Sequence, residues 1–465
     1  MTGAKGSFSA AYVWMISLVA ALGGLLFGYD WVVIGGAKPF YEKFFGLTDP
    51  SQQGWAMSCA LIGCLFGSLG SGGTSDRLGR KKLLLFSALL FAFSSIGTAM
   101  AGSFAIFVMW RILGGAAIGI ASNLSPMYIA EVAPAGIRGR LVSLNQLTIV
   151  IGILLAQLIN WMIAQPVPAG ATAQEILHSW NGQVGWRWMF GATAIPSCLF
   201  LFGMTFAPES PRWLARQGKE AEARRVFERI GGMEYAEPAL KEVEDSLSHD
   251  TAKKASAILF EPKVFRILVL GIVLAVFQQW CGINVIFNYA EEVFSAAGYQ
   301  VSDILFNIVI TGTVNLLFTL LAFGLVDRFG RRILMLFGAA SLAVIYTLLG
   351  ECYAAHSKGV HVLALVVAAI GCYAMSLAPV TWVVISEIFP NRIRGTAMSI
   401  AVGFLWIACF ILTFTFPILN RAIGAAGTFW IYAGICAMGF VFLLFKLPET
   451  RGKSLEAIER EFEQG

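Results

Sequence analysis

Long apolar runs separated by short polar stretches make up most of the chain. Twelve runs are long enough to cross a bilayer at about 20 residues of 1.5 Å rise each: 13–36, 54–74, 83–101, 104–126, 141–164, 187–207, 264–290, 303–325, 332–352, 362–386, 396–418 and 426–446. None shows the two-residue alternation of a barrel strand, so the expected class is an all-α membrane protein of twelve transmembrane helices. Polar residues concentrate at run ends and in one long segment, 208–263. There Ser210-Pro211 ahead of Trp213 and Leu214 reads as a helix start, with Ser as N-cap and Pro in the first turn. Val226, Phe227 and Ile230 make an apolar stripe, Gly231-Gly232 a stop, and Glu237 to Leu247 another short helix. A small helical layer on one membrane face is expected rather than a disordered linker.

Composition agrees with this pattern. Hydrophobic residues are 57% and charged residues 13% of 465, too few charges to cover the surface of a soluble chain of that length. A net charge of +5 is too modest to suggest nucleic-acid binding. All the cysteines but Cys352, which ends a run, fall clearly inside apolar runs and no CxxC occurs, which suits small buried hydrophobes and neither disulfides nor a metal site. There is no phosphate-binding P-loop, so direct drive by ATP is not expected. No nucleophile–base or metal cluster suggests an enzyme, and no cofactor is implied. The first run is too long for a cleaved signal peptide and reads as a retained span.

The distribution of Lys and Arg sets the expected topology. With the N-terminus on the cytosolic side, 27 of the 33 fall in cytosolic segments, five on the opposite side and one, Arg111, inside a span. The bias survives removal of the long central segment and places both ends in the cytosol.

The chain also repeats itself. Glu131-Val-Ala-Pro-Ala-Gly-Ile-Arg138 is echoed by Glu387-Ile-Phe-Pro-Asn-Arg-Ile-Arg394, Asp76-Arg-Leu-Gly-Arg80 by Asp327-Arg-Phe-Gly-Arg331, and Pro208-Glu209-Ser210 by Pro448-Glu449-Thr450. Three matches in one order at similar offsets define two six-helix halves of the same orientation: 1–207 and 264–447, joined by 208–263 and followed by a tail, 448–465. Parallel six-span repeats suggest a transporter with its site between the halves, near the midplane. The repeated charges sit where helices leave the cytosolic face. Asp76, Arg80, Glu131, Arg138, Glu209, Arg212, Asp327, Arg331, Glu387, Arg394, Glu449 and Arg451 are therefore candidate members of a cytosolic gate, their ion pairs bridging neighbouring helices when that side is shut. Topology marking alone would explain the basic members but not the acidic ones.

These motifs resemble the sugar porter branch of the major facilitator superfamily. The pieces that carry the resemblance are Asp76-Arg-Leu-Gly-Arg80, Pro208-Glu-Ser-Pro-Arg-Trp213, Gln278-Gln-Trp-Cys-Gly-Ile-Asn284 and Pro448-Glu-Thr-Arg-Gly452, and it covers nearly the whole chain. Leu22-Gly-Gly-Leu-Leu-Phe-Gly-Tyr-Asp30 and Ser125-Pro-Met-Tyr-Ile-Ala-Glu131 look like bacterial xylose/proton symporters. The resemblance implies alternating access of two halves around one sugar site. With the short polar ends of the chain, it also suggests a bacterial cytoplasmic membrane and a protein that functions as a monomer.

A sugar needs side chains that both donate and accept hydrogen bonds, and rings for its C–H faces. Span seven carries Gln278, Gln279 and Asn284, with Asn288 one turn on; spans five and eight add Gln146 and Asn315. Lone amides in a membrane commonly join helices, but an adjacent Gln pair with Asn close behind is harder to dismiss as glue. The resemblance implies that Gln146, Gln278, Gln279, Asn284, Asn315 and Trp382 contact the sugar and that Trp406 lines the site. The chain departs from the xylose symporters at Asn288, which replaces an aromatic residue. It departs again at Leu405 and Ile153, which replace polar residues, and at Trp31, where a small residue is usual. These changes weaken the expectation of xylose itself.

Only Asp30 and Arg111 are ionisable residues well within spans. In antiparallel spans one and four they lie about 9 Å and about 10–11 Å from the same end at 1.5 Å per residue. Each charge alone is costly in lipid and an opposite partner lowers that cost. Asp30 is thus the candidate proton carrier and Arg111 its counter-ion, with a static structural pair as the plain alternative. The resemblance implies proton coupling, since facilitative carriers of this kind have an uncharged amide at the Asp30 position. The expected function is proton-coupled symport of a pentose or hexose; the alternatives are a facilitative uniporter and a non-transporting sugar sensor, the latter disfavoured by the short tails.

Overall fold

The computed structural model describes residues 8–168, 170–248, 261–357, 359–389 and 394–449, and among these every regular element is helical. The first half contains α1 (Ala10–Phe45), α2 (Pro50–Leu78), α3 (Arg80–Ala99), α4 (Phe104–Val132) and α5 (Arg138–Ile163). After the short α6 (Ala173–His178), span six is composite: a π-helical turn at Asn181–Gly185, then α7 (Trp186–Gly191) and α8 (Ala194–Phe206). Span six starts before the expected residue 187 because Asn181 is buried and satisfied by the backbone of Gln165, donating at 2.7 Å and accepting at 2.8 Å. Hydropathy counts that amide as a polar boundary; its hydrogen bonds let the helix continue through it.

In the second half, span seven is broken. α12 (Pro262–Trp280) stops at Cys281, Gly282 takes φ +86°, and the chain resumes as α13 (Ile283–Asn288) and α14 (Ala290–Ala296). A Cβ at Gly282 would lie 2.8 Å from the Tyr432 ring, so both backbone conformation and space require glycine there. α15 (Val301–Phe329) and α16 (Arg331–Ala354) are continuous, and span ten divides at Ser376 into α17 (Val360–Met375) and α18 (Leu377–Ile388). The last helical stretch, α19 (Arg394–Lys446), bends at Gly424, φ 72°. That bend separates the two final apolar runs, so all twelve expected spans are present.

Small residues let the helices approach closely, as van der Waals packing in lipid requires. Gly63 and Gly67 of α2 face Gly115 and Gly119 of α4 so tightly that a Cβ on any of them would strike the partner backbone. The halves meet along α2 with α19 and α5 with α15, while α1 reaches α13 and α14. Large apolar side chains such as Phe93, Trp188, Phe202 and Leu321 remain exposed around the outside, the surface expected of a chain whose solvent is lipid.

The central segment forms α9 (Pro211–Arg216), α10 (Glu220–Gly231) and α11 (Met233–Ser248). Ser210 caps α9 through its hydroxyl, which accepts from the Trp213 amide, and Pro211 occupies the first turn. Val226, Phe227 and Ile230 are buried, and Gly232 at φ 77° ends α10. The Ser9 amide donates to the Ile230 carbonyl at 2.8 Å, tying the start of α1 to this layer.

The sequence repeat is also a structural one. In the first half the Arg80 guanidinium bonds Glu131 of α4 at 3.1 Å and Asp76 of α2 at 3.1 Å. Glu209 accepts from the backbone amides of Arg80 and Lys81, both at 3.0 Å, and so caps α3. In the second half Arg331 bonds Glu387 at 3.1 Å, and Glu449 accepts from the amides of Arg331 and Arg332 at 3.0 and 3.1 Å, capping α16. These bonds join elements of one half. The Ser210 hydroxyl and Arg216 extend the first cluster to α9, onto Glu131 and Asp76 respectively. Arg138 and Arg212 are exposed. Arg451 and the side chains of Asp327 and Arg394 lie outside the described residues. These clusters mark one end of the molecule, called here the basic end.

Candidate transport site

Two helices of the first half bring the intramembrane charges together. Asp30 of α1 and Arg111 of α4 are 5% and 3% exposed. The Arg111 Nη1 lies 2.8 Å from both Asp30 carboxylate oxygens, and the guanidinium stands 5.4 Å over the Phe190 ring. Matching depth thus corresponds to real contact. The pair is incomplete, however: Arg111 Nε is buried without a partner among the described residues.

The pair borders a small cavity. It has a volume of about 20 Å³ and is lined by Asp30, Trp31, Cys64, Arg111 and, from α13, Asn288. Asn288 Oδ1 is likewise buried and unpartnered. With Asp30, Arg111 and Asn288 in an otherwise largely apolar wall, a space of this size accommodates one water molecule. Asn288, the last residue of α13, therefore lines the same cavity as the charged pair, in the place the sequence marks as a departure from the xylose symporters.

The amides of span seven form a chain. Gln278 donates to the Tyr373 hydroxyl at 2.7 Å, Gln279 donates to Gln278 Oε1 at 2.6 Å, and Asn284 donates to Gln279 Oε1 and, at 3.8 Å, to the Cys409 sulfur. The break at Cys281–Gly282 puts the two Gln at the end of one helix and Asn284 on the next, so their side chains converge where an unbroken helix would turn Asn284 away. On the helix that carries Cys409, Trp406 of α19 meets Trp31 of α1, ring centroids 6.1 Å apart, with Phe27 5.9 Å from Trp406 and 6.0 Å from Trp31. An amide ladder and an aromatic wall drawn from both halves are the recognition surface a polyol needs.

A family model described as "Sugar (and other) transporter" matches residues 16–462. The chain belongs to that family. It is a transport protein and not an enzyme, and it spans the membrane many times. This sugar transporter is 38% identical to the D-xylose-proton symporter of Escherichia coli (strain K12) over 98% of its own length and 97% of that protein. It is 39% identical to the arabinose-proton symporter of Bacillus subtilis (strain 168), over 98% and 96%. The inward open conformation of the xylose transporter XylE from E. coli superposes with a TM-score of 0.84 at 37% identity, covering 97% of this chain and all of that one. The fold is the major facilitator fold.

Within this transporter the structure joins Asp30 with Arg111, and Gln278, Gln279 and Asn284 with one another. Gln146 on α5 is half-buried, Asn315 on α15 is buried and Trp382 on α18 is half-buried. No hydrogen bond among the described residues ties Gln146 or Asn315 to the ladder. Sequence reasoning missed Tyr373 as the anchor of the ladder and Asn288 as a lining residue of the Asp30 cavity. Its only signal for either was a polar group in an apolar run.

Proposed function

We propose that this chain is a proton-coupled monosaccharide symporter working by alternating access, with the basic end in the cytosol. The observation that carries the reading is the buried Asp30–Arg111 pair bordering a small cavity that Asn288, from the half of the molecule that holds the amide ladder, also lines. The named activities of the relatives, xylose and arabinose symport with protons, support it.

The residues divide the work as follows. Gln278, Gln279 and Asn284 exchange their mutual hydrogen bonds for bonds to sugar hydroxyls, Gln146, Asn315 and Trp382 complete the polar side of the site, and Trp406 offers a face to the sugar C–H groups. A proton arriving from outside neutralises Asp30. The ion pair with Arg111 then loses its Coulomb attraction, and α1 is released from α4. Because Asp30 and Asn288 share one cavity, that release is felt on α13, between the sugar ladder and α14. Loss of the proton to the cytosol restores the pair. Arg80 with Glu131 and Asp76, and Arg331 with Glu387, stiffen the basic end of each half so that each half moves as a body. Glu209 and Glu449 do so by capping α3 and α16; Arg138, Arg212, Asp327, Arg394 and Arg451 belong to the same gate. The substrate is a pentose or hexose, no cofactor is needed beyond the proton, one chain suffices, and the location is a bacterial inner membrane with both termini cytosolic.

The test is transport in proteoliposomes. An imposed inward proton gradient drives uphill accumulation of a labelled sugar, with a panel of pentoses, hexoses and inositol as competitors. Asp30→Asn abolishes accumulation and retains sugar exchange. Undiminished accumulation in that variant removes the coupling role. Equilibration without proton movement in the parent protein makes the chain a uniporter.

A further inference from the structure

At the end opposite the basic clusters one lysine holds the two halves together. Lys38 of α1 is 3% exposed. Its Nζ lies 3.1 Å from Glu42 Oε2, one turn on in α1, and 2.6 and 3.4 Å from Glu292 Oε1 and Glu291 Oε2, which open α14 in the second half. Tyr289 stands 5.8 Å from the ammonium by its ring centroid and donates its hydroxyl to the Thr413 carbonyl. Tyr41, on the α1 side, donates to Met57. From α2, Gln53 donates to Glu42 Oε2 and to the Leu47 carbonyl; Cys59 lies deeper on the same helix. From α19, Arg421 lines the same outer hollow as Glu292, near Asp49.

The charge count does not balance. One cation faces three carboxylates, and two carboxylate oxygens, Glu42 Oε1 and Glu292 Oε2, are buried with no partner among the described residues. Three ionised carboxylates would leave a doubly negative cluster with two bare anionic oxygens in a desolvated place, where like charges and burial both disfavour ionisation. Burial, and Glu291 beside it, lift the Glu292 carboxyl above the usual carboxylate range against the pull of Lys38. One proton shared among the carboxylates removes a charge. When the halves part at this end, Glu291 and Glu292 leave with the second half for water, and Lys38 keeps Glu42 as a balanced pair. The extra proton is then no longer held.

We propose that Lys38, Glu42, Glu291 and Glu292 form a second proton-binding site, a latch between the halves that takes up one proton as the outer mouth closes. The inference rests on the topology proposed above, which places this end outside. The site is separate from Asp30, about 12 Å away at eight residues of 1.5 Å rise along α1. The sign follows from linkage: the closed latch binds the proton and the open one does not, so acid favours closure. For one proton the closed-to-open ratio changes up to about tenfold per pH unit between the two affinities. External acid would thus turn the loaded carrier inward as well as protonate Asp30.

The experiment uses the full chain in lipid nanodiscs, with spin labels at Gln52→Cys and Ala296→Cys on opposite lips of the mouth, both exposed positions, Cys198→Ser, and Asp30→Asn to silence the coupling carboxylate. Electron-electron distances are measured from pH 5.5 to 8.5. The expected result is a short-distance population growing as pH falls, with a slope approaching tenfold per unit. Glu292→Gln, or Glu291→Gln should the first fold poorly, leaves two carboxylates on one lysine, and the short distance then dominates at every pH. Lys38→Met closes only at lower pH than the parent. A parent whose distances ignore pH, or a Gln variant that keeps the parental slope, overturns the proposal. Flat distances with intact gradient-driven uptake in the unlabelled protein reject the latch and leave the transport reading standing. A titrating latch without uptake does the reverse.

Discussion

At the residue scale, the deep charges matter as a pair. Removing one partner of a buried ion pair leaves an uncompensated charge, at a cost of about 3–5 kcal/mol. Arg111→Leu is therefore expected to lower the thermal midpoint of the detergent-solubilised protein much more than the double replacement Asp30→Asn with Arg111→Leu; equal losses would mean that the carboxylate is already compensated elsewhere. The amides behave differently. Each is neutral and its net hydrogen-bond contribution is about 0.5–1.5 kcal/mol, so Gln278→Ala should raise the half-saturating sugar concentration roughly two- to tenfold, at 1.4 kcal/mol per factor of ten, with the proton requirement unchanged. Trp31 meets Trp406 across the halves and, in the site proposed above, would narrow the space for the sugar. Trp31→Ala is expected to admit bulkier sugars, seen as new competitors in an uptake panel.

At the element scale, breaks in helices do the positioning. The turn at Cys281–Gly282 converges Gln279 and Asn284, and the interruption at Tyr289 sets Asn288 against the Asp30 cavity. A side chain at the left-handed Gly282 costs about 1–2 kcal/mol in backbone strain and crowds Tyr432. Gly282→Ala should lower both sugar affinity and exchange rate while the protein still inserts in the membrane; wild-type exchange would show that the turn is incidental. The caps on α3 and α16 are a second case, since Glu209 and Glu449 each satisfy two helix-start amides. Loss of such a cap typically costs about 1 kcal/mol. Glu209→Ala and Glu449→Ala should therefore destabilise by similar amounts and additively, because they act in different halves; thermal melts of the singles and the double check this.

At the scale of the whole molecule, the apolar exterior makes the membrane the folding solvent. Phe93 is 62% exposed in the middle of α3, and an Arg at such a position costs about 2.5–3.5 kcal/mol on insertion scales. Phe93→Arg should deplete the protein from the membrane fraction, whereas Phe93→Leu should not. The class of fold was legible from the chain alone because each apolar run is a local property: length and hydropathy suffice to place a helix in lipid. The repeat was equally legible, since Arg80, Glu131 and Glu209 recur as Arg331, Glu387 and Glu449, and the structure arranges both sets alike. The Asp30–Arg111 contact was foreshadowed by equal depth, because 1.5 Å per residue converts sequence position directly into height. What height cannot supply is azimuth. Whether Asn288 faces lipid or the cavity beside Arg111, whether Trp31 finds Trp406, and whether Lys38 gathers carboxylates from the far half depend on rotations about helix axes and on two interruptions of span seven. Those are decided by packing among residues hundreds of positions apart. The sequence by itself thus determined the spans, their duplication and the isolated polar groups that lipid makes costly. Only the tertiary structure decided which of those groups pay their desolvation to one another and which are left facing a cavity between the halves.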